Sequence, residues 1–507
     1  MQHIRPSSSK KQSADDEEQE DTQISSIARS SCQTNPPALH STEESSMAEK
    51  EAGTPEVSAH LHETRRSTRK LSSSDDQQSG QPAHSKIHIN RYKAILLIVL
   101  LAIVVLQTGN TALSQLTGPQ GWAYVLAGPS NNAPDQSLLN HITEQLHPTS
   151  HNGTGAARPT PQQYIDLIIH KMSLEQKLGQ MMIVQFTGSS YSLPLSTMIG
   201  KYGVGAVLLF SANGNIISKT QFQGLIQQMK SHSAIPLAVA IDQEGGAVDR
   251  LAQLDGSRAS AASIGATGDP AKAQQAGVQD AQDLSAYGIN LNLAPVVDVT
   301  TVYNPQLASR TYGSDPTLVT QMAAAYLQGL QQSGRVIGTL KHFPGLGDVG
   351  VDPHTGVPHL TRSKDHLEQI TWAPYRSLIQ QKLVHAVMVT HEVVEAVDNT
   401  QPSTLSYKVV TGILRNELHF QGVIITDSLT MEGISAFHDE AQAGALAIEA
   451  GADLLMGATS PADVERLMDG IKQAIKDGSI TQQRIDDSVR RILLLKYSMG
   501  LLPIPKN

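Results

Sequence analysis

The chain has 507 residues, a net charge of −9 and only 4% aromatic residues. That modest acidic balance excludes a nucleic-acid partner as its organising function. Its only cysteine, Cys32, excludes a disulfide framework, so whatever folds here rests on its own core.

Residues 1–85 read as a disordered tail: no Phe, Trp or Tyr precedes Tyr92, and Ser, Gln, Glu, Asp and Lys dominate. Such a segment buries too little apolar surface to offset its ordering entropy. Residues 86–113 read as a membrane anchor. Lys86, Arg91 and Lys93 precede thirteen uninterrupted apolar residues, 94–106, and the uncharged 107–113 extends the run. The stretch 94–113 then reaches the roughly 20 residues that a span requires. No Lys or Arg occurs from 107 to 157. This asymmetry predicts a single-pass protein of the cell membrane, with its N-terminus cytoplasmic and the bulk of the chain extracellular. A cleaved signal peptide would not carry more than 80 residues ahead of its apolar run. A buried core helix is the remaining alternative. Residues 114–160, rich in Gly, Pro, Ser, Asn and Thr, read as a stalk or linker.

From 161 to 503 the composition changes and short apolar strands recur: 181–186, 206–210, 237–241, 291–299, 336–340, 386–390, 422–426 and 452–456. Segments with helical spacing separate them, among them 221–232, 272–287, 316–332, 364–382 and 407–418. Strands that are continuously apolar belong to a parallel sheet covered on both faces. Eight strand–helix units fit a (β/α)8 barrel of the TIM type, an α/β fold; a doubly wound open sheet is the alternative, because periodicity alone cannot close a barrel. The polar residues favour the barrel. Asp242 ends the third strand, Asp298 lies near the end of the fourth, and Lys341 and His342 follow the fifth. His391 ends the sixth and Asp427 the seventh. Ionisable groups at five strand ends are costly to bury as packing, and barrel enzymes gather their chemistry there.

The loop after the fifth strand, KHFPGLGDVGVDPHTGVP from 341 to 358, carries the densest chemistry. Four glycines and two prolines fall in the fourteen residues 344–357, together with Asp348, Asp352 and His354. Asp352-Pro353-His354 sets a carboxylate two residues from an imidazole, which fixes a histidine's tautomer and tunes its proton affinity. A surface loop with incidental histidines is the plain alternative. Asp427, in VIITDSLTM, reads either as a helix cap or as a catalytic carboxylate. Asp242, with Glu244 and Arg250 nearby, either caps a turn or accepts hydrogen bonds from a polyhydroxylated ligand. Arg310 is either a surface ion-pair partner or a clamp for an anionic or amide group. A metal site drawn from His342, Asp352, His354 and His359 matches no common zinc spacing, and no metal or cofactor is expected.

The segments IDQEGGAVDRL, INLNLAPVVDV, SRTYGSDP, KHFPGLGDVGVDPHTGVP, VIITDSLTM and IDDSVRRILLLKY, in this order, resemble the glycoside hydrolase family 3 β-N-acetylhexosaminidases. The resemblance spans about 162–502. It implies a barrel that hydrolyses terminal β-linked N-acetylglucosamine, from cell-wall fragments or chitin oligomers, with retention of configuration. By that resemblance Asp427 is the nucleophile and His354, paired with Asp352, the acid/base. Asp242, Arg250, Arg310, Lys341 and His342 hold the sugar. Three departures stand out: Leu346 where a second histidine is usual, Pro353 where serine is usual, and Ala247 where arginine is common. Other readings remain open: a β-glucosidase or phosphorylase of the same family, a Schiff-base lyase using Lys341, and a membrane-tethered sugar-binding protein without turnover.

Overall fold

The computed structural model describes residues 160–502 and Leu139. The expected tail (1–85), the anchor (86–113) and, apart from Leu139 and Thr160, the stalk (114–160) lie outside the described residues. Among the described residues no helix is long and apolar enough to cross a membrane.

Eight parallel strands close on themselves: β1 (Met182–Val184), β2 (Ala206–Leu209), β3 (Ala238–Ile241), β4 (Leu291–Asn292), β5 (Ile337–Phe343), β6 (Ala386–Val389), β7 (Val423–Ser428) and β8 (Leu454–Met456). Each pairs with its neighbours in sequence, and β8 returns to β1 through Met182↔Leu455 and Ile183↔Met456. That last pairing decides between a barrel and an open sheet. The apolar residues of these strands are buried, as covering on both faces demands.

Helices form the outer ring. Pro270–Tyr287 and Pro316–Gln331 begin alike, with Asp269 and Asp315 as caps and proline in the first turn. They touch backbone to backbone at Gly277 and Gly329. A Cβ on Gly277 would stand 2.1 Å from Tyr326 O, and one on Gly329 2.2 Å from Gln274 O. Asp453 sits just before β8, at the N-terminal end of the barrel, and its fully buried carboxylate gathers Arg415, Arg484 and Arg491. That end is the stability face of such barrels.

Element bounds differ from the sequence expectation in three instructive places. The expected strand 291–299 is regular only over Leu291–Asn292, because Pro295 has no N–H to give the ladder; pairing resumes at the Val296↔Lys341 bridge. Strand β5 runs on to Phe343, so Lys341 and His342 stand on the strand and not in the loop after it. The expected helices 364–382 and 407–418 contain wide turns, with Trp372 N–H donating to Leu367 O and Leu418 N–H to Ile413 O, five residues back.

Candidate active site

A cavity of about 520 Å³ opens at the C-terminal end of the barrel. All eight residues expected at the site line it: Asp242, Arg250, Arg310, Lys341, His342, Asp352, His354 and Asp427. They come from the ends of different strands, over nearly two hundred residues of sequence, and only barrel closure brings them together.

One wall is a charged cluster. Asp242 follows β3 directly, and the chain then forms a tight hairpin, Gln243–Gly245 against Val248–Asp249. Gly245 and Gly246 take φ of 82° and 59°, conformations that favour glycine, and so make that turn. Gln243 locks the hairpin by donating to Asp249 Oδ1 (2.8 Å) and accepting from Leu251 N–H (3.1 Å). Glu244 thereby points inward, its side chain 3% exposed. It receives Arg310 in a forked pair (2.7 and 2.8 Å) and Lys341 Nζ at 2.6 Å. Burial pushes the Glu244 carboxyl up, but Lys341 and Arg310 outweigh it and hold the group at about 2. Lys341 also reaches Asp242 at 2.6 Å. Burial would lower its pKa, yet the two carboxylates carry it above the ordinary lysine value. A Schiff base needs a free amine lone pair, which these two ion pairs disfavour.

His342 faces the same cluster. Its Nδ1–H donates to the fully buried carboxylate of Asp298 at 2.7 Å, which leaves Nε2 to accept from Arg310 at 3.2 Å. Asp298 also accepts the Leu346 N–H at 2.8 Å. The departure at 346 therefore keeps a backbone contact that any residue there can make. Arg250 lies with its guanidinium 4.1 Å from the Phe210 ring centre, and its buried Nε has no hydrogen-bond partner among the described residues.

Asp427 forms the floor, half-buried and open to the cavity. Ser428 N–H donates to its Oδ1 at 2.8 Å. Burial raises this carboxyl, but the neighbouring His391 and His342 side chains and the Ser428 N–H overcome that and hold it below the ordinary range. The neighbouring Glu392 has the opposite fate: burial pushes it up to about 8, so it stays protonated at neutral pH and adds no second negative charge beside Asp427.

Across the cavity stands the loop dyad. One Asp352 oxygen accepts both the backbone N–H (3.0 Å) and the ring Nδ1–H (2.8 Å) of His354. Among the described residues Nε2 has no partner, on a ring that is 69% exposed. Pro353, the second departure, is buried, and its carbonyl accepts Gly433 N–H at 3.1 Å, tying the dyad loop to the segment after β7. Ala247, the third, is exposed at the hairpin turn. His359 pairs with Glu395 at 3.0 Å on the surface and does not line the cavity.

Two residues of the cluster escaped the sequence reading of the site. Glu244 was visible only as a neighbour of Asp242, and Asp298 only as a charge near a strand end; their partners, Arg310, Lys341 and His342, lie far from them in the sequence.

Residues 173–495 match the family model described as "Glycosyl hydrolase family 3 N terminal domain". The chain is 34% identical over 333 residues to "Beta-hexosaminidase A" of Pseudoalteromonas piscicida, covering 60% of this chain and 55% of that protein. It is 33% identical over 342 residues to "Beta-hexosaminidase LpqI" of Mycobacterium tuberculosis, covering 64% and 83%. Among solved structures, a glycoside hydrolase family 3 β-N-acetylglucosaminidase from Paenibacillus sp. superposes with a TM-score of 0.62 at 34% identity, covering 66% of this chain and 64% of that one. The chain thus spans about half the length of the Pseudoalteromonas protein.

Proposed function

Because this chain belongs to glycosyl hydrolase family 3, we propose that it is a retaining β-N-acetylhexosaminidase that removes terminal β-linked N-acetylglucosamine. The observation that carries the reading is a single cavity lined by a carboxylate on the floor (Asp427) and a carboxylate-backed imidazole on the rim (Asp352–His354). The relatives' names supply the sugar class.

In the first step an Asp427 oxygen attacks the anomeric carbon, the glycosidic bond breaks, and His354 Nε2–H protonates the departing oxygen. The product is a glycosyl ester on Asp427. Its low pKa suits this role, for the group must attack as an anion and later leave as one. In the second step His354 Nε2 takes a proton from water, which attacks the anomeric carbon and frees Asp427 with net retention. Asp352 stabilises the imidazolium that donates its proton in the first step and is re-formed in the second. Asp242, Glu244, Arg310, Lys341 and His342 present donors and acceptors to the sugar hydroxyls from a wall already held in place by its own ion pairs, which costs little reorganisation. Placement outside the cell rests on the charge asymmetry around 94–106; a protease-accessibility assay on intact cells tests it.

The chemical test uses glycosides that differ in leaving group. Asp427→Ala should reduce turnover of all of them by about 10⁴-fold or more. His354→Ala should cost about 10²–10⁴-fold on an alkyl or sugar glycoside and much less in the bond-breaking step of a nitrophenyl glycoside. Azide, which needs no deprotonation, should restore turnover of the nitrophenyl substrate and yield the β-glycosyl azide. Equal losses for every leaving group, with no azide rescue, would remove His354 from the acid/base role.

A further inference from the structure

The cavity accounts for the sugar being cleaved off. It does not account for Tyr303, a large aromatic that is 84% exposed and has no hydrogen bond or ring contact among the described residues. A single exposed apolar residue is ordinary, but neighbouring ones at the edge of a polar cavity mark a binding surface. The neighbours of Tyr303 show where it stands. Asn304, Gln306 and Leu307, just after it, line the cavity. Its own carbonyl oxygen is 4.0 Å from where a Cβ on Gly350 would lie, so it abuts the dyad loop. On that loop the adjacent residue is Val351, itself 48% exposed, followed by Asp352, Pro353 and His354, which all line the cavity.

The two loops are fixed to each other. Thr301 N–H and Val302 N–H both donate to Gly347 O (3.0 and 3.3 Å), and the Asn304 side chain donates to Val349 O at 3.0 Å. Asn304 Oδ1 in turn accepts the Gln306 N–H at 3.0 Å. The backbone that bears Tyr303 is thus held in place although its side chain is free. An aromatic on such a support loses little entropy when it binds.

Resting on the reading above, we propose that Tyr303 and Val351 form the subsite for the leaving sugar, so that the preferred substrate is an oligosaccharide and not a simple alkyl glycoside. The direction follows from the chemistry. His354 protonates the glycosidic oxygen, so the leaving group must lie on the far side of that oxygen from Asp427, toward the loops that carry Tyr303 and Val351. A β-linked pyranose carries axial C–H bonds on its faces and hydroxyls around its edge. The faces pack on an aromatic ring, and the exposed Gln306 beside it offers both a donor and an acceptor to the edge.

The test compares full-length wild type, Tyr303→Ala and Tyr303→Phe on N,N′-diacetylchitobiose and on methyl β-N-acetylglucosaminide. The readout is the ratio of kcat/KM for the disaccharide to that for the methyl glycoside. Loss of one aromatic contact of this kind should lower the ratio about 3- to 10-fold in Tyr303→Ala, mainly through KM, whereas Tyr303→Phe should keep it. A ratio within twofold of wild type in Tyr303→Ala overturns the subsite. So does an equal loss on both substrates, which would make Tyr303 a prop for the dyad loop. Wild-type protein that cleaves neither substrate overturns the hydrolase reading itself, and the subsite with it.

Discussion

Glu244→Gln tests whether the charged wall is as tightly coupled as its geometry implies. The substitution preserves shape and removes one negative charge that is bonded to both Lys341 and Arg310 within 2.6–2.8 Å. Two routes give the magnitude. Breaking a buried ion pair from one side costs about 3–5 kcal/mol, because the partner charges stay buried. A carboxyl held at about 2 in place of 4.5 corresponds to about 3 kcal/mol of stabilisation at neutral pH. The agreement makes a loss of about 3 kcal/mol the expected result of urea unfolding at pH 7. The sign of the pH dependence follows from the depressed pKa. The folded state binds fewer protons than the unfolded state between pH 4.5 and about 2, so the stabilisation is complete above that window and lost within it. The gap between wild type and variant should therefore stay constant from pH 7 to 5 and narrow below 4.5. An exposed pair such as Arg490–Asp166 provides the comparison, at roughly 0–1 kcal/mol. A loss under about 1 kcal/mol for Glu244→Gln, or a gap that widens as pH falls, would refute the coupling.

Two further substitutions probe other parts of the barrel. In Gly433→Ala a Cβ would stand 2.8 Å from His391 Cβ and 3.4 Å from Pro353 O, on the segment whose N–H holds the dyad loop. Overpacking of this kind costs about 1–3 kcal/mol, and kcat should fall more for poor leaving groups than for nitrophenyl glycosides; an unchanged kcat on both would show that the contact does not position the dyad. Lys496 is buried with, among the described residues, only the Gln180 side chain as partner of its ammonium (2.6 Å), and burial lowers its pKa from 10.5 to about 7. The unfolded state therefore binds more protons than the folded state between those values, and wild-type stability rises with pH across the window. Lys496→Met lacks that proton, so its stability relative to wild type should improve as pH falls from 10 to 7; a difference that does not change with pH would refute the assignment.

The fold was readable because a covered parallel strand has nowhere to place a polar residue. Runs such as 386–390 and 422–426 announced strands, and the rarity of charge within them made Asp242, His391 and Asp427 conspicuous at their ends. What periodicity could not supply was the pairing of β8 with β1, since closure is a relation between strands 270 residues apart. Backbone chemistry explains the misplaced bounds. The run 291–299 is apolar enough for a strand, but Pro295 interrupts its ladder. Lys341 and His342 looked like the start of a loop because of their charge, and they belong to β5 because Asp242, Glu244 and Asp298 neutralise them.

The same distinction separates the site residues that were found from those that were missed. Asp352 and His354 lie two residues apart, so their pairing is a local property and visible in the sequence. Glu244 and Asp298 act through partners that only the closed barrel supplies. Pro353 stood out in the sequence only as a departure, and the backbone carbonyl by which it holds Gly433 is one that every residue has. The division matters for mechanism as well as for reading. Asp427, Lys341 and His342 sit on strands and Asp242 and Glu392 shortly after them, where packing fixes each group. The proton shuttle sits on a loop bonded to the segments before Asn304 and after β7, with His354 exposed and its Nε2 without a partner among the described residues. A nucleophile needs an unvarying charge and position. A group that must serve the leaving sugar and then water needs access to both, and a loop at the cavity rim provides it.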